Sequence, residues 1–342
     1  MTAIWEGLTS ALGNFFSYIV VAVSALVLLY IILYVFFLKF RPDAAKRMRR
    51  YRLLYILGIP GMLILLLFNY LPMGSLFMAF EDYDPWKGLG ASPFVGFKHF
   101  SRLFADAKFY QMLRNTLTIS LLSLVTFPAP IILALLLNEV RSSAFKKTIQ
   151  TTVYLPHFLS WTIVVSLTFF LLSSEQGLVN KLIISMGGTK RAFLFDKSII
   201  YLIIVIQGVW KGVGWGSIVY LAAIAGIDQG LYEAAKIDGA NKFHSILHIT
   251  LPCILPTVAV MLILKMGSII SVDFEQVLLM TNALVKEKLD VFEVYIYENG
   301  VKSGSTEFSY TTAIGMFKSV ISTILVLTTN RIVSSNGMKG II

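Results

Sequence analysis

The chain has 342 residues, 56% hydrophobic and 14% charged, with a mean hydropathy of +0.76. A soluble domain carries about a quarter charged residues and cannot bury this much apolar surface, so a water-soluble globular fold is excluded. The net charge of +10 suits the cytoplasmic loops of a membrane protein rather than nucleic acid, and one cysteine, Cys253, excludes an internal disulfide or a cysteine metal cluster.

At about 1.5 Å per helical residue, seven apolar runs are long enough to cross about 30 Å of hydrocarbon. They lie near residues 15–38, 53–72, 113–138, 151–173, 199–226, 253–274 and 312–330. The expected fold is therefore all-α integral membrane with about seven transmembrane helices. The first run lacks a basic start and a small-residue cleavage site and is too long for a signal-peptide core, so it is expected to stay as an anchor. Residues 39–52 carry seven basic side chains and one acidic, which places that segment in the cytoplasm and the N-terminus outside. Counting crossings puts the loop holding Arg141, Lys146 and Lys147, the segment around Glu233, and the C-terminus inside. Pro60, Pro128, Pro130, Pro156, Gly212, Gly214 and Gly216 interrupt the spans. Each marks either a kink lining a pathway or a close helix contact.

Between the fifth and sixth runs the composition turns small and polar. Asp228 can cap a short helix from Gln229 to about Lys236. Asp238-Gly239 then makes a turn in which glycine is free to take positive φ. A second short helix is expected from about Asn241 to Ile249, with Pro252 at the boundary before the next span. Ala234, Ala235, Gly239 and Ala240 offer little bulk, so another surface can come close. Glu233 and Asp238 offer charge to an Arg or Lys. The product is an elbow on the cytoplasmic face, able to transmit a rigid-body push; a plain interfacial turn is the alternative.

The string Glu233-Ala234-Ala235-Lys236-Ile237-Asp238-Gly239-Ala240, followed by Ile249-Thr250-Leu251-Pro252, resembles the Glu-Ala-Ala loop by which ABC importer permeases grip their ATPase. The likeness extends to Phe80–Pro85, Ser92–Phe97, Asn115-Thr116-Leu117, Tyr154–Trp161, Trp210–Trp215 and Asp290-Val291-Phe292. The chain is similar to permeases of binding-protein-dependent importers of the complex-saccharide type over residues 51–342. Residues 1–50, an extra N-terminal transmembrane helix and basic cytoplasmic linker, depart from the pattern. The resemblance implies a six-helix importer domain at 51–342 with a coupling loop at 228–252, contacted by the ATPase through Glu233, Ala234, Ala235, Asp238, Gly239, Ala240, Leu251 and Pro252. It implies a bacterial inner-membrane location. It also implies a second homologous permease, two ATP-binding subunits carrying ATP and Mg, an extracellular or periplasmic solute-binding protein and a saccharide. No cofactor is expected on this chain, which lacks a phosphate-cradling Gly-rich loop ending in Lys-Ser/Thr and is not expected to be an enzyme.

Sugars are held by aromatic faces and hydrogen-bonding groups. Pathway candidates are Asn115, Gln207, Trp210, Lys211, Trp215, Tyr220 and Lys318. Lysines inside spans are costly and face protein or water. Lys211, Lys265 and Lys318 either meet an acidic saccharide, or snorkel or pair with Glu275 or Asp273. His244 and His248 share a helical face and read as elbow surface, not as a metal site. The alternatives are a permease for another solute, such as glycerol phosphate or an amino acid, and an ion-driven secondary transporter. The second would show internal repeats that are not evident here.

Overall fold

The computed structural model describes residues 49–341 except 303, 305 and 339, together with Asp43 and Lys46; the apolar run near 15–38 lies outside the described residues. The chain divides into two units, residues 1–77 and 78–342. In the first, helix α1 (Arg52–Leu65) carries Pro60 inside it, widens into a π turn over Leu66–Tyr70 and tightens into a 3-10 helix that starts at Leu71.

The second unit is helical throughout. Its elements are α2 (Lys98–Ala105), α3 (Ala107–Val125), α4 (Ala129–Glu139), α5 (Ser143–Tyr154), α6 (Trp161–Leu172), α7 (Leu178–Ser185), α8 (Ile200–Ala225), α9 (Gln229–Ile237), α10 (Lys242–Ser245), α11 (Leu251–Gly267), α12 (Phe274–Met280), α13 (Lys286–Leu289), α14 (Phe292–Ile296) and α15 (Phe308–Ser335). Among the described residues a lone antiparallel bridge, Glu81 with Phe94, is the extended pairing. Five stretches are long and apolar enough to cross a membrane: Arg52–Phe80, Ala107–Glu139, Ile200–Ala225, Lys242–Gly267 and Phe308–Ser335. A sixth arises if Ser143–Phe158 and Trp161–Leu172, bent by 103° at their junction, are one span. This is an all-α multi-span membrane fold with five to six candidate spans in the described residues.

Two expected spans differ in form. The run near 151–173 reads as one apolar stretch but is broken. Pro156 sits in a 3-10 turn (Leu155–Phe158), and the Ser160 hydroxyl accepts from the Ile163 N–H at 3.3 Å to start α6 afresh. The run near 253–274 begins earlier. The second limb of the elbow passes through a π turn (Ile246–Thr250) straight into α11. Pro252 falls in the first turn of α11, where a missing N–H costs little, so it does not end the helix.

The break leaves carbonyls outside the helical ladder, and a carbonyl kept from water is costly unless a donor meets it. Lys211 of α8 supplies the donors. Its ammonium donates to the His157 carbonyl at 2.9 Å and to the Leu159 carbonyl, and lies 5.3 Å from the Trp161 ring. One turn on, Trp215 stacks on His157 with ring centroids 4.5 Å apart and meets Phe158 edge-on at 5.8 Å. Gly214 lets the backbones close: a Cβ there would stand 1.9 Å from the Val153 carbonyl oxygen.

Elsewhere two apolar clusters hold the unit. One joins Ile119, Val165, Ile200, Ile204, Val277 and Val294. The other joins Leu103, Phe109, Ile270, Phe292, Tyr310 and Ile314. Buried Asn115 stitches them: its amide donates to the Glu287 and Asp290 carbonyls at 2.8 and 3.0 Å and accepts from the Tyr201 hydroxyl at 2.8 Å. Ion pairs brace the loops, Lys98 with Asp82 at 2.7 Å and Lys197 with Glu287 at 2.6 Å. The hydrogen bond from each lysine holds its carboxyl below the ordinary range, so this bracing persists above the usual carboxylate pKa and is lost as pH falls through the lowered values.

Two outcomes follow for protein purified in detergent. Gly214→Ala should destabilise by about 1–3 kcal/mol or more, since the backbone it meets cannot yield. Gly208→Ala, whose Cβ would meet nothing within 4 Å, should leave the melting temperature unaltered; equal melting of the two variants would refute the close contact. Lys211→Met strips two carbonyls of their donor and should cost about 2 kcal/mol or more, read by thermal unfolding and by protease access to residues 155–161. Wild-type behaviour in both assays would show that Lys211 does not hold the break.

Candidate functional site

The elbow is built by local chemistry. The Asp228 carboxylate accepts from the Gly230 N–H at 2.9 Å and opens α9. At the other end Gly239 adopts φ +79°. The Ala240 N–H reaches the Ala235 carbonyl at 2.9 Å and the Gly239 N–H reaches the Lys236 carbonyl at 3.2 Å, the paired bonds of a Schellman cap. Asn241 then caps α10 by accepting from the His244 N–H at 2.9 Å. Glu233, Ala234, Asp238 and Gly239 are exposed, and Ala235 and Ala240 are half-buried.

The inner face of the elbow is tied down. The Tyr232 and Thr250 hydroxyls bond at 2.9 Å, and Lys242 pairs with Glu139 of α4. Tyr232, Ile249 and Leu251 pack on a cluster of Ile131, Tyr220, Ile224 and Ile254. A push on the exposed face therefore reaches α4, α8 and α11 together. The outer face also shows Leu231, Phe243 and Ile237, the last 88% exposed. His244 and His248 stack at 5.0 Å and belong to no metal-ready cluster among the described residues.

A cavity of about 490 Å³ opens between α3, α4, α6, α8 and α11. Ser120, Ser123, Thr126, Ser268, Ser271, Trp161, Tyr220, Lys265 and Gln276 are among the residues that line it. Its α8 wall carries Gly208, Gly212 and Gly216, spaced at i, i+4, i+8, among Ile204, Val205, Val209, Val213 and Tyr220. Gly212 thus opens space, whereas neighbouring Gly214 seals a helix contact.

Of the sequence candidates, Tyr220 lines this cavity. Gln207 stands one bond behind it, accepting from the Gln276 amide at 2.9 Å and donating to the Thr168 hydroxyl at 2.7 Å. Asn115, Trp210, Lys211, Trp215 and Lys318 lie outside its lining. The lysines do not pair with Glu275 or Asp273. Lys318 pairs with Glu293, both side chains largely buried; Lys211 holds the break; Lys265 donates to the Ser123 hydroxyl at 2.9 Å. Sequence reasoning missed Ser120, Ser123 and Gly208. The i, i+4 glycine spacing was the signal available for the last.

Comparison with known proteins agrees with this architecture. Residues 126–333 match the family model described as binding-protein-dependent transport system inner membrane component. Protein LplB of Bacillus subtilis (strain 168) is 48% identical over 86% of this chain and 92% of its own length. The polygalacturonan/rhamnogalacturonan transport system permease protein YteP of the same organism is 45% identical over 88% and 95%. A chain in the crystal structure of a bacterial alginate ABC transporter, in complex with an alginate pentasaccharide-bound periplasmic protein, superposes with a TM-score of 0.79 at 39% identity, covering 86% of this chain and 99% of that one. The chain belongs to the inner membrane components of binding-protein-dependent transport systems, the non-catalytic permease subunits of ABC importers.

Proposed function

We propose that this permease imports complex carbohydrates, oligo- or polysaccharides, and forms half of the translocation pathway. The observation that carries the cargo class is its 45% identity, over most of both chains, to a polygalacturonan/rhamnogalacturonan permease. The cavity's hydroxyls and its Trp161 and Tyr220 rings are the groups a sugar needs. Tyr220 lines this cavity and Gln207 is bonded to Gln276 of its lining. Asn115, Trp210, Lys211, Trp215 and Lys318 are pathway residues beyond it.

In this proposal Glu233, Ala234, Ala235, Asp238, Gly239, Ala240, Leu251 and Pro252 form the coupling loop, within 228–252, and α9 is the coupling helix. Two ATPase subunits with ATP and Mg bind below, a second homologous permease completes the pathway, and a solute-binding protein delivers the saccharide. The elbow and the C-terminus face the cytoplasm of a bacterial cell. Residues 51–342 form the six-helix importer domain, and residues 1–50 add a seventh span, with the N-terminus outside, and a basic linker. An importer of a different solute, such as glycerol phosphate, uses the same elbow and differs in the cavity.

Reconstitution with partner permease, ATPase and binding protein tests this directly: labelled oligosaccharide should accumulate in proteoliposomes only with ATP. Glu233→Ala and Gly239→Val should each lower saccharide moved per ATP hydrolysed by about tenfold, the equivalent of one charged contact or one strained cap, while the bundle still assembles. Wild-type coupling in both variants would remove the elbow from the mechanism.

A further inference from the structure

The three membrane lysines meet different fates, and one of them is left facing the cavity. Lys211 spends its donors on two carbonyls. Lys318 is neutralised by Glu293. Lys265 makes one hydrogen bond, to the Ser123 hydroxyl of α3, and among the described residues no carboxylate lies within ion-pair distance of it. Asp273, the carboxylate of the lining, is exposed and turned to its own helix, accepting from the Gln276 N–H at 3.4 Å. Lys265 also sits in the last turn of α11, where a cation is favoured by the helix dipole. Its ammonium nonetheless leaves that helix end and reaches across to α3.

We infer that this cavity is a subsite for carboxylate-bearing sugar units, with Lys265 as the residue that makes the permease prefer an acidic oligosaccharide; the inference rests on the reading of the chain as a saccharide permease. An ammonium has three N–H donors and no acceptor. With one engaged by Ser123, the others suit a uronate carboxylate, and a charge-assisted bond is stronger than one between neutral groups. Ser120, one turn from Ser123 on the same face of α3, also belongs to the lining. On α8, added Cβ atoms at Gly208 and Gly212 would meet nothing within 4 Å, so space is open at these two positions. The 490 Å³ volume falls in the range of about 300–1,000 Å³ usual for small-ligand pockets. The subsite thus offers one positive charge without a carboxylate partner and room beside two glycines.

The test compares two probes, tri-galacturonate and its carboxyl-reduced counterpart, as initial uptake rates by the complete reconstituted transporter. The uronate-to-reduced ratio should fall about tenfold or more in Lys265→Gln, the loss of one charge-assisted contact, and return towards wild type in Lys265→Arg. Ser268→Asp, which sets a carboxylate on the same lining, should lower the ratio as Lys265→Gln does, and it keeps the test decisive if Lys265→Gln fails to assemble. A ratio indifferent to Lys265→Gln and Ser268→Asp, in a complex that imports both probes, would overturn the role of Lys265 and leave saccharide import standing. So would an arginine variant as impaired as the glutamine one. Uptake of neither probe by the wild type would overturn the importer reading and this inference together.

Discussion

A break in an apolar helical run leaves carbonyl groups outside the helical ladder, and something on the protein must answer them. Here the answer is the Lys211 ammonium on the His157 and Leu159 carbonyls, and much of the fold follows from it. The bond fixes α8 rotationally against α5 and α6. Trp215 stacks on His157 and Gly214 is pressed to Val153, while Gly208 and Gly212 of the same helix line the cavity. The break and the cavity therefore share α8 as a common wall.

The same logic relates segments far apart in sequence. Tyr154–Trp161 and Trp210–Trp215 are the two halves of one contact. Asn115 and Asp290 meet through an amide-to-carbonyl bond of 3.0 Å. Segments that carried the likeness to importer permeases are thus partners in packing as well as markers of kinship. Charge within the spans is handled case by case: one lysine answers backbone, one answers a carboxylate, and one answers a single hydroxyl. A cation in a span without a carboxylate partner is costly, so the third arrangement is the one that asks for a ligand.

The elbow was legible in the sequence because its chemistry is local. Asp228, Gly239 and Asn241 each act within a few residues, through caps and a positive φ that side-chain type alone foretells. Span number was partly legible, since hydropathy counts apolar runs but not their continuity. The stretch near 151–173 is apolar on both sides of its break, and only Pro156 and Ser160 hint at it. The continuation through Pro252 was hidden because a proline at a helix start and one at a boundary look alike. Partners of Lys211, Lys318 and Asn115 were not legible, for they lie 25 to 175 residues away and depend on how helices cross. The cavity was least legible of all, being defined by side chains that are missing at Gly208 and Gly212.

Lys211 also bears on how the protein is made. A primary amine in a membrane span is costly until it finds acceptors or water. Residues 155–161 precede residue 211 in the chain, so the broken span leaves the ribosome first and can be standing in the bilayer when α8 arrives. Were the order reversed, α8 would have to linger at the insertion machinery with its charge unanswered. The sequence of synthesis thus matches the sequence of need, and the lock is threaded before its key.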